Sequence, residues 1–160
     1  MRISIANIKI KDRIRKDLGD LSDKQIDEKY KVMPNGKKIA KAFKDLRRSR
    51  IASEAKELKQ RYVEDGIDGC WVCGFDFSEI LQIHHIIPIK DGGNNDSGNV
   101  VIVCPNCHKA LHKAYEYLRK DDADGMDEIF RHLNGHTYGA GKYLFLNCVV
   151  KYGERRLAND

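Results

Sequence analysis

Two Cys-x-x-Cys pairs constrain the fold of this chain more than any other feature of its sequence. Cys70 and Cys73 form the first pair, Cys104 and Cys107 form the second, and 30 residues lie between them. Each short turn can direct two thiolates at one ion, and two such turns complete a closed tetrahedral site with no position left for water or substrate. The spacing therefore predicts a structural zinc ion (Zn2+), whose ligation adds free energy to folding. The alternatives are four reduced cysteines packed as small apolar side chains, or redox-active pairs.

The chain carries a fifth cysteine, Cys148, within an apolar run. An odd number of cysteines favours a reducing compartment. Residues 1–16 alternate apolar and charged side chains and lack the apolar segment of a signal peptide. No apolar run approaches the roughly 18 residues that a membrane span needs. These features predict a cytoplasmic, intracellular protein with no membrane partner.

Charge is unevenly distributed along the 160 residues. Residues 1–64 contain 19 Lys/Arg and 10 Asp/Glu, whereas residues 65–160 contain 10 and 14. A basic segment on a mildly acidic body predicts contact with a polyanion, although a solvated helix face has the same composition. The length predicts one small domain with additions. We expect a basic, mostly helical arm over 1–64, a core over 65–120 and an extension over 121–160.

Helical signals dominate the arm, which begins with a predicted short strand at 2–10. Ser22 followed by Gln25 has the pattern of a capping box and predicts a helix over 23–31. Apolar residues three to five positions apart predict a long amphipathic helix over 37–63. Its outer face is basic, and we expect these side chains to contact nucleic-acid phosphates: Lys37, Lys38, Lys41, Lys44, Arg47, Arg48 and Arg50. The alternative is that the apolar face packs on the body while the lysines face solvent.

The core has the pattern of two strands followed by a helix. Apolar segments at 79–89 and 100–103 predict the strands, and the Gly-, Asn- and Asp-rich segment between them predicts a loop. Pro105 suits the first position of a helix that runs to about Lys120. The core is therefore predicted to be a hairpin with a helix behind the second cysteine pair.

The C-terminal extension is predicted to combine helix and strand. A short helix is expected at 126–133 and a Gly-rich loop at 134–141. The apolar run at 143–150 predicts a final strand in which Cys148 is buried. The expected class of the whole chain is α+β.

Four of the six histidines lie within 29 residues that also contain the second cysteine pair. His84 and His85 end the first predicted strand. His108 directly follows the second cysteine pair, and His112 lies one helical turn later on the same face. Neighbouring residues of a regular strand face opposite sides, but a strand that ends there lets both histidines reach one site. The pattern predicts imidazoles clustered around one pocket, and an incidental pair of histidines is the alternative.

Residues 70–112 resemble an HNH endonuclease, a family with the ββα-metal fold. The matching residues are Cys70-x-x-Cys73, Leu81-Gln82-Ile83-His84-His85-Ile86-Ile87-Pro88, Gly92-Gly93, Asn99, and Cys104-Pro105-Asn106-Cys107-His108 with His112. The resemblance covers about a quarter of the chain. It implies a zinc-stapled ββα-metal core with an N-terminal helical basic arm and a small C-terminal α/β extension.

The resemblance also implies a role for each matching polar residue. His85 occupies the position of the general base that activates water, and Asn99 that of the asparagine that holds the loop and orients the base. His108 occupies the final metal-binding position. His84 stands just before the base, where the family more often has an aspartate that commonly binds the metal. His112 corresponds to a third metal ligand or a phosphate contact, and both interpretations stay open.

The implied function is a metal-dependent endonuclease that hydrolyses phosphodiester bonds of DNA. A neutral imidazole can accept a proton from water near pH 7, and a divalent ion can stabilise the leaving oxygen. Imidazole ligands favour Mn2+, Ni2+, Co2+ or Zn2+ over Mg2+ as the catalytic ion. One active centre cuts one strand, so cleavage of both strands would call for a dimer or a second event. The alternative is a non-catalytic zinc-ribbon module that binds nucleic acid.

Overall fold

The computed structural model describes residues 21–67, 69–137 and 140–159. The elements follow in the order α1 (Asp23–Tyr30), α2 (Gly36–Glu64), β1 (Gln82–His85), β2 (Val100–Val103), α3 (Pro105–Arg119), α4 (Ala123–His136) and α5 (Gly141–Asn159), with single 3-10 turns at Ser78–Ile80 and Ile89–Asp91. This mixture of helices with a small antiparallel sheet confirms the predicted α+β class. The strand predicted at 2–10 lies outside the described residues. Within the described ranges, no helix has both the length and the apolar character that crossing a membrane requires.

The two helices predicted for the arm are confirmed. α1 begins with the capping box: the Ser22 hydroxyl accepts the Gln25 amide proton at 3.2 Å, and the Ser22 amide donates to the Gln25 side chain at 2.8 Å. These bonds satisfy two amides that a helix start otherwise leaves without partners. α1 and α2 then pack against each other around a small apolar cluster centred on Ile26 and Ala40.

A buried arginine joins the arm to the core. The Arg47 side chain has no exposed surface. Its guanidinium donates to the Leu21 carbonyl, to the Asp23 carboxylate at 2.8 Å, and to the Ile89 carbonyl at 2.9 Å. The prediction that Arg47 contacts nucleic acid is therefore corrected, because its charge is used inside the protein. Removing one partner of such a buried pair typically destabilises a protein by about 3–5 kcal/mol.

The register of α2 explains why the sequence misplaced Arg47. Leu46 and Ile51 are successive apolar residues five positions apart, a step that does not keep both on one face of a helix. In the structure the buried face carries Ala40, Arg47, Ile51 and Ala55, while Leu46 is 42% exposed. Arg47 lies one turn before Ile51 on the same face, and α1 together with the turn at Ile89 covers it.

The core is the predicted hairpin with a helix against it. β1 and β2 pair antiparallel, with Gln82 opposite Val103 and His85 opposite Val100. All four residues of β2 are buried. The first cysteine turn is attached to this sheet, since the Trp71 amide donates to the Ile102 carbonyl at 2.9 Å. The strand predicted at 79–89 is thus shorter, and it ends at the second histidine.

The prediction of a C-terminal strand at 143–150, and hence of an α/β extension, is wrong. This segment lies in α5, and its buried residues Phe145, Cys148, Val149 and Tyr152 follow the spacing of a helix. A continuous apolar run of eight residues does not by itself distinguish a buried strand from a buried helix. α4 likewise extends through His136, into the segment predicted as a loop. Cys148 is buried as expected, but on a helix.

The extension shares its hydrophobic core with the hairpin. The Tyr115 ring of α3 stacks on the Tyr152 ring of α5 with centroids 4.1 Å apart and planes at 6°. Leu111 of α3 and Phe145 of α5 belong to the same buried cluster as β2. α5 therefore supports the face of α3 that lies behind the histidines, while the domain boundaries at 64 and 120 stay predictions.

Candidate active site

The four cysteines of the two pairs form one cluster. Their sulfur atoms all lie within 4.8 Å of one another, and the Cys73 and Cys104 sulfurs are 3.7 Å apart. A tetrahedral zinc site with Zn–S bonds of about 2.3 Å requires sulfurs about 3.8 Å apart. Cys104 also caps α3, because its sulfur accepts the Cys107 amide proton at 3.5 Å. The predicted cluster is confirmed, and its donors and dimensions are compatible with zinc.

The ionisation of these thiols favours a bound cation. A hydrogen bond from the Cys107 thiol lowers the pKa of Cys70 to about 4. The same bond raises the pKa of Cys107, and burial raises the pKa of Cys73. The first thiolate therefore forms easily, and its neighbours resist ionisation. A cation is needed before all four sulfurs can carry the negative charge that zinc ligands have.

Three histidines form a second cluster on the hairpin and α3. Ring nitrogens of His84, His108 and His112 all lie within 4.8 Å of one another. The Nε2 atoms of His108 and His112 are 3.0 Å apart. Burial lowers the pKa of His84 to about 3 and that of His108 to about 4, and it also lowers the pKa of His112. All three rings are therefore neutral near pH 7, which is the form that binds a metal.

The hydrogen bonds of His84 leave its Nδ1 atom as an acceptor. The Tyr115 hydroxyl donates its proton to the Ile86 carbonyl at 2.9 Å, so it must accept the proton on Nε2 of His84 at 3.1 Å. The lone pair of the ring then lies on Nδ1. This buried nitrogen has no hydrogen-bond partner among the described residues. An unsatisfied buried acceptor costs free energy, and a metal ion beside His108 would satisfy it.

A similar bond orients His108. Its Nδ1 lies 2.6 Å from the side-chain oxygen of Gln82, which can only accept a proton. Nε2 of His108 therefore carries a lone pair directed at the cluster. Metal-binding histidines are commonly oriented by a bond of this kind at the ring nitrogen that does not bind the metal. The three imidazoles fit a metal with nitrogen-ligand preference.

His85 is oriented by an asparagine that the sequence analysis missed. Its Nε2 lies 2.7 Å from Oδ1 of Asn95. The Asn95 amide nitrogen faces the Ile51 carbonyl at 3.0 Å and the Glu54 carboxylate at 3.4 Å, so its oxygen must face His85. His85 thus carries its proton on Nε2 and its lone pair on Nδ1. Asn95 was read only as part of a polar loop, because its partner in α2 is distant in sequence.

Asn99 holds the loop that follows His85. Its side-chain oxygen accepts the Ile87 amide proton at 2.7 Å, and its nitrogen donates to the Ile87 carbonyl at 3.1 Å and the Asn94 carbonyl at 2.9 Å. The backbone passes so closely here that a Cβ atom at Gly93 would collide with the Ile87 carbonyl. Asn99 therefore acts on the loop backbone, and it forms no bond to the His85 ring.

His85 and the three-histidine cluster line one open groove of about 620 Å3. The histidines come from the end of β1 and from one face of α3, as their spacing predicted. Four basic residues line the same groove: Lys90, Lys109, Lys113 and Arg119. Of these, Lys113 pairs with Glu116 at 3.0 Å, and Lys109 forms no ion pair with a described carboxylate. This groove is the candidate active site.

The structure places the predicted cations of the arm outside this groove. Most of them pair with carboxylates: Lys41 with Asp45, Lys44 with Asp27, Arg47 and Arg48 with Asp23, and Arg50 with Glu54. Lys37 and Lys38 are exposed and have no ion-pair partner among the described residues. Much of the basic charge that the sequence assigned to nucleic acid is therefore neutralised within the arm.

Comparisons with known proteins agree with this geometry. Residues 70–114 match the family model of HNH endonucleases. The chain is 33% identical over 116 residues to the type IV methyl-directed restriction enzyme EcoKMcrA of Escherichia coli, covering 62% of this chain and 42% of that enzyme. It is 39% identical over 44 residues to anaredoxin of Nostoc sp., covering 28% of this chain and 57% of that protein. No solved structure matches the chain significantly.

The chain spans between two fifths and three fifths of the length of these curated relatives. The match to the family model covers the hairpin, both clusters and the first part of α3. The predicted resemblance is thereby confirmed: residues 70–114 match the HNH endonuclease family model and form an antiparallel hairpin with a helix against it.

Proposed function

We propose that this protein is a metal-dependent endonuclease that hydrolyses DNA, with His85 as its general base. One observation carries the proposal: His85, with its lone pair on Nδ1, lines the same groove as three neutral histidines whose nitrogens converge. A module that only binds nucleic acid has no use for an oriented base beside three converging imidazoles.

Each residue has a defined part in the proposed reaction. His85 accepts a proton from water through Nδ1, and Asn95 holds its Nε2–H so that the ring cannot turn. His84, His108 and His112 would hold the divalent ion, which when bound stabilises negative charge on the phosphate and the leaving oxygen. Asn99 keeps the loop after His85 in place. The groove lysines attract the phosphate backbone.

The four-cysteine cluster is assigned a structural zinc ion in this proposal. It joins the turn before β1 to the start of α3, and so it keeps both sources of histidine in one position. The arm at 1–64 and the extension at 121–160 are additions to the nuclease core at 65–120. Cleavage of both strands would need a second active centre, which a dimer would provide.

DNA is the proposed substrate because of the relative's function. EcoKMcrA is named as a methyl-directed restriction enzyme. Since the chain covers less than half of that enzyme, dependence on methylation is a separate question. It can be answered with the same plasmid prepared in methylated and unmethylated form.

The first expected result concerns the catalytic metal. Metal-stripped protein reloaded with zinc only at the cysteines should nick supercoiled plasmid with Mn2+, Co2+ or Ni2+ at least as fast as with Mg2+. The reason is that imidazoles suit these ions, whereas Mg2+ prefers oxygen ligands. Nicking is measured on agarose gels, and bound metal is counted by mass spectrometry. If Mg2+ supports nicking and the other three ions do not, the assignment of the three histidines as metal ligands is refuted. If the protein binds one zinc ion per chain, binds no second ion and does not nick the plasmid, it is a binding module.

The second expected result concerns Asn95. Replacing Asn95 with alanine should slow nicking by roughly 10- to 100-fold, as removal of a group that orients a functional histidine usually does. Asn95→Asp keeps an oxygen that accepts the His85 proton, but its second oxygen would face the Ile51 carbonyl and the Glu54 carboxylate, so it should restore only part of this loss. Affinity for DNA should stay unchanged in both variants, because Asn95 lies behind the base. Equal losses in the two variants, or a loss of affinity that accounts for the slower rate, would contradict the positioning role.

A further inference from the structure

A second cavity lies beside the active-site groove and is lined mainly by basic side chains. Its volume is about 330 Å3, and five basic and two acidic residues line it together with Ser22 and Tyr152. The basic residues are Lys24, Lys90, Arg119, Arg155 and Arg156, and the acidic residues are Asp23 and Asp91. We call this cavity the arginine pocket. It is built by α1, α3, α5 and the turn after β1, most of which lies outside the HNH match.

The arginines of this pocket are held by bonds to the protein. Arg156 donates to the Leu118 carbonyl at 3.0 Å and the Arg119 carbonyl at 3.3 Å, at the end of α3. Arg119 donates to the Tyr152 hydroxyl at 2.9 Å. A guanidinium has five N–H donors, so Arg119 and Arg156 keep donors for a ligand. Their positions are set before a ligand arrives, which reduces the entropy lost on binding.

The acidic residues of the pocket oppose an anion only weakly. The Asp23 carboxylate is bound by Arg47 and Arg48, which are additional to the five basic residues of the pocket. Burial raises the pKa of the Asp91 carboxyl, whose Oδ2 atom is buried, and Arg155 donates to the Asp91 backbone carbonyl at 3.3 Å. α1 begins at this pocket with Asp23, and the start of a helix carries partial positive charge. The pocket therefore has a net positive potential.

The arginine pocket is continuous with the active-site groove. Lys90 and Arg119 line both cavities. Lys90 belongs to the turn at Ile89–Asp91 and lies five residues after the base His85. A strand whose scissile phosphate lies beside His85 and His84 would thus extend over Lys90 and Arg119 towards the other arginines.

We propose that the arginine pocket binds a backbone phosphate of the DNA strand next to the scissile one. This inference rests on the proposed nuclease function, and it moves the main phosphate contacts from the arm helix α2 to α1, α3 and α5. Of the seven α2 cations predicted to contact nucleic acid, five form ion pairs, whereas Lys24 and Lys90 form no ion pair with a described carboxylate. Contacts of this type give affinity and salt dependence without reading base sequence.

A pair of double variants tests the proposal. K24A/K90A removes two exposed lysines from the pocket, and K37A/K38A removes two exposed lysines of α2 that line neither cavity. Both are made in the whole 160-residue chain, which also carries His85→Ala so that the DNA stays intact. Binding to a fluorescein-labelled 20-base-pair duplex is followed by anisotropy between 50 and 200 mM NaCl. Each double variant truncates two exposed lysines to alanine. A difference in DNA binding between the two variants is therefore not explained by a difference in folding.

K24A/K90A should lower the slope of log affinity against log salt by about 0.9, because the pocket binds one phosphate and each phosphate contact contributes about 0.9. K37A/K38A should leave the slope unchanged, and K24R/K90R should restore it. If the parent protein binds the duplex and the slope is unchanged in K24A/K90A, the proposed role of the arginine pocket is overturned and the proposed nuclease function is not affected. A lowered slope in K37A/K38A only would return the contacts to the arm. Absence of binding in the parent would count against the proposed function itself.

Discussion

Replacing His85 with alanine is expected to slow the nicking of supercoiled plasmid by about 100- to 10,000-fold, the usual contribution of a general base. This corresponds to about 3 to 5.5 kcal/mol in the activation barrier. The expectation follows from the orientation of the ring, since Asn95 holds Nε2–H at 2.7 Å and leaves Nδ1 as the acceptor. Initial rates are compared at saturating DNA and the same concentration of divalent metal.

His132→Ala is the matched control for this variant. His132 is an exposed histidine on α4, and it does not line the active-site groove. Its removal should leave the rate unchanged, and both variants should keep the zinc content and circular dichroism spectrum of the parent. If the His85 variant nicks at the parent rate, His85 is not the base. If both variants lose activity equally, the loss does not report on the groove.

Replacing Cys104 with serine is expected to remove zinc from the cysteine cluster and to unfold the core. Serine retains an oxygen that can cap α3 as the Cys104 sulfur does, so the change tests the ligand and spares the cap. Zinc in small closed sites contributes roughly 10–16 kcal/mol to folding, whereas a whole domain is stable by about 5–15 kcal/mol. Loss of the ion therefore exceeds what the short hairpin and its helix can compensate.

Cys148→Ala provides the comparison, because Cys148 is the buried cysteine outside the cluster. That variant should keep one zinc per chain and lose only the small packing contribution of one buried sulfur, on the order of 1 kcal/mol. Zinc is counted by mass spectrometry, and unfolding is followed by circular dichroism with and without a chelator. A Cys104 variant with parental zinc content and melting temperature would remove the structural role of the cluster.

The cysteines and histidines could be identified from the sequence because short-range geometry determines where they lie. A Cys-x-x-Cys turn presents two sulfurs whatever surrounds it, and His108 and His112 share a face of α3 because a helix repeats every 3.6 residues. The structure brings these side chains together as expected. The capping box at Ser22 was equally local, and it was correct.

The strand predicted at 143–150 failed for the opposite reason. An apolar run reports that a segment is buried, and only its neighbours decide whether it is a strand or a helix. Tyr115 presents a flat ring to Tyr152, and the buried residues Phe145, Cys148, Val149 and Tyr152 follow the spacing of one helix face. Packing against α3 therefore selects the helix.

The sequence by itself predicted each pair of cysteine ligands and the shared face of His108 and His112, because those residues lie within one turn or one helix. The resemblance to HNH endonucleases indicated His85 as the candidate base. Only the tertiary structure decided that Asn95 orients His85, because Asn95 is itself held by the Ile51 carbonyl, 44 residues earlier in the chain. It likewise decided that Arg47 is buried instead of exposed. It also decided that basic residues of α1, α3 and α5 meet in one pocket. These facts depend on how distant elements pack, and no local spacing in the chain encodes the distance between them.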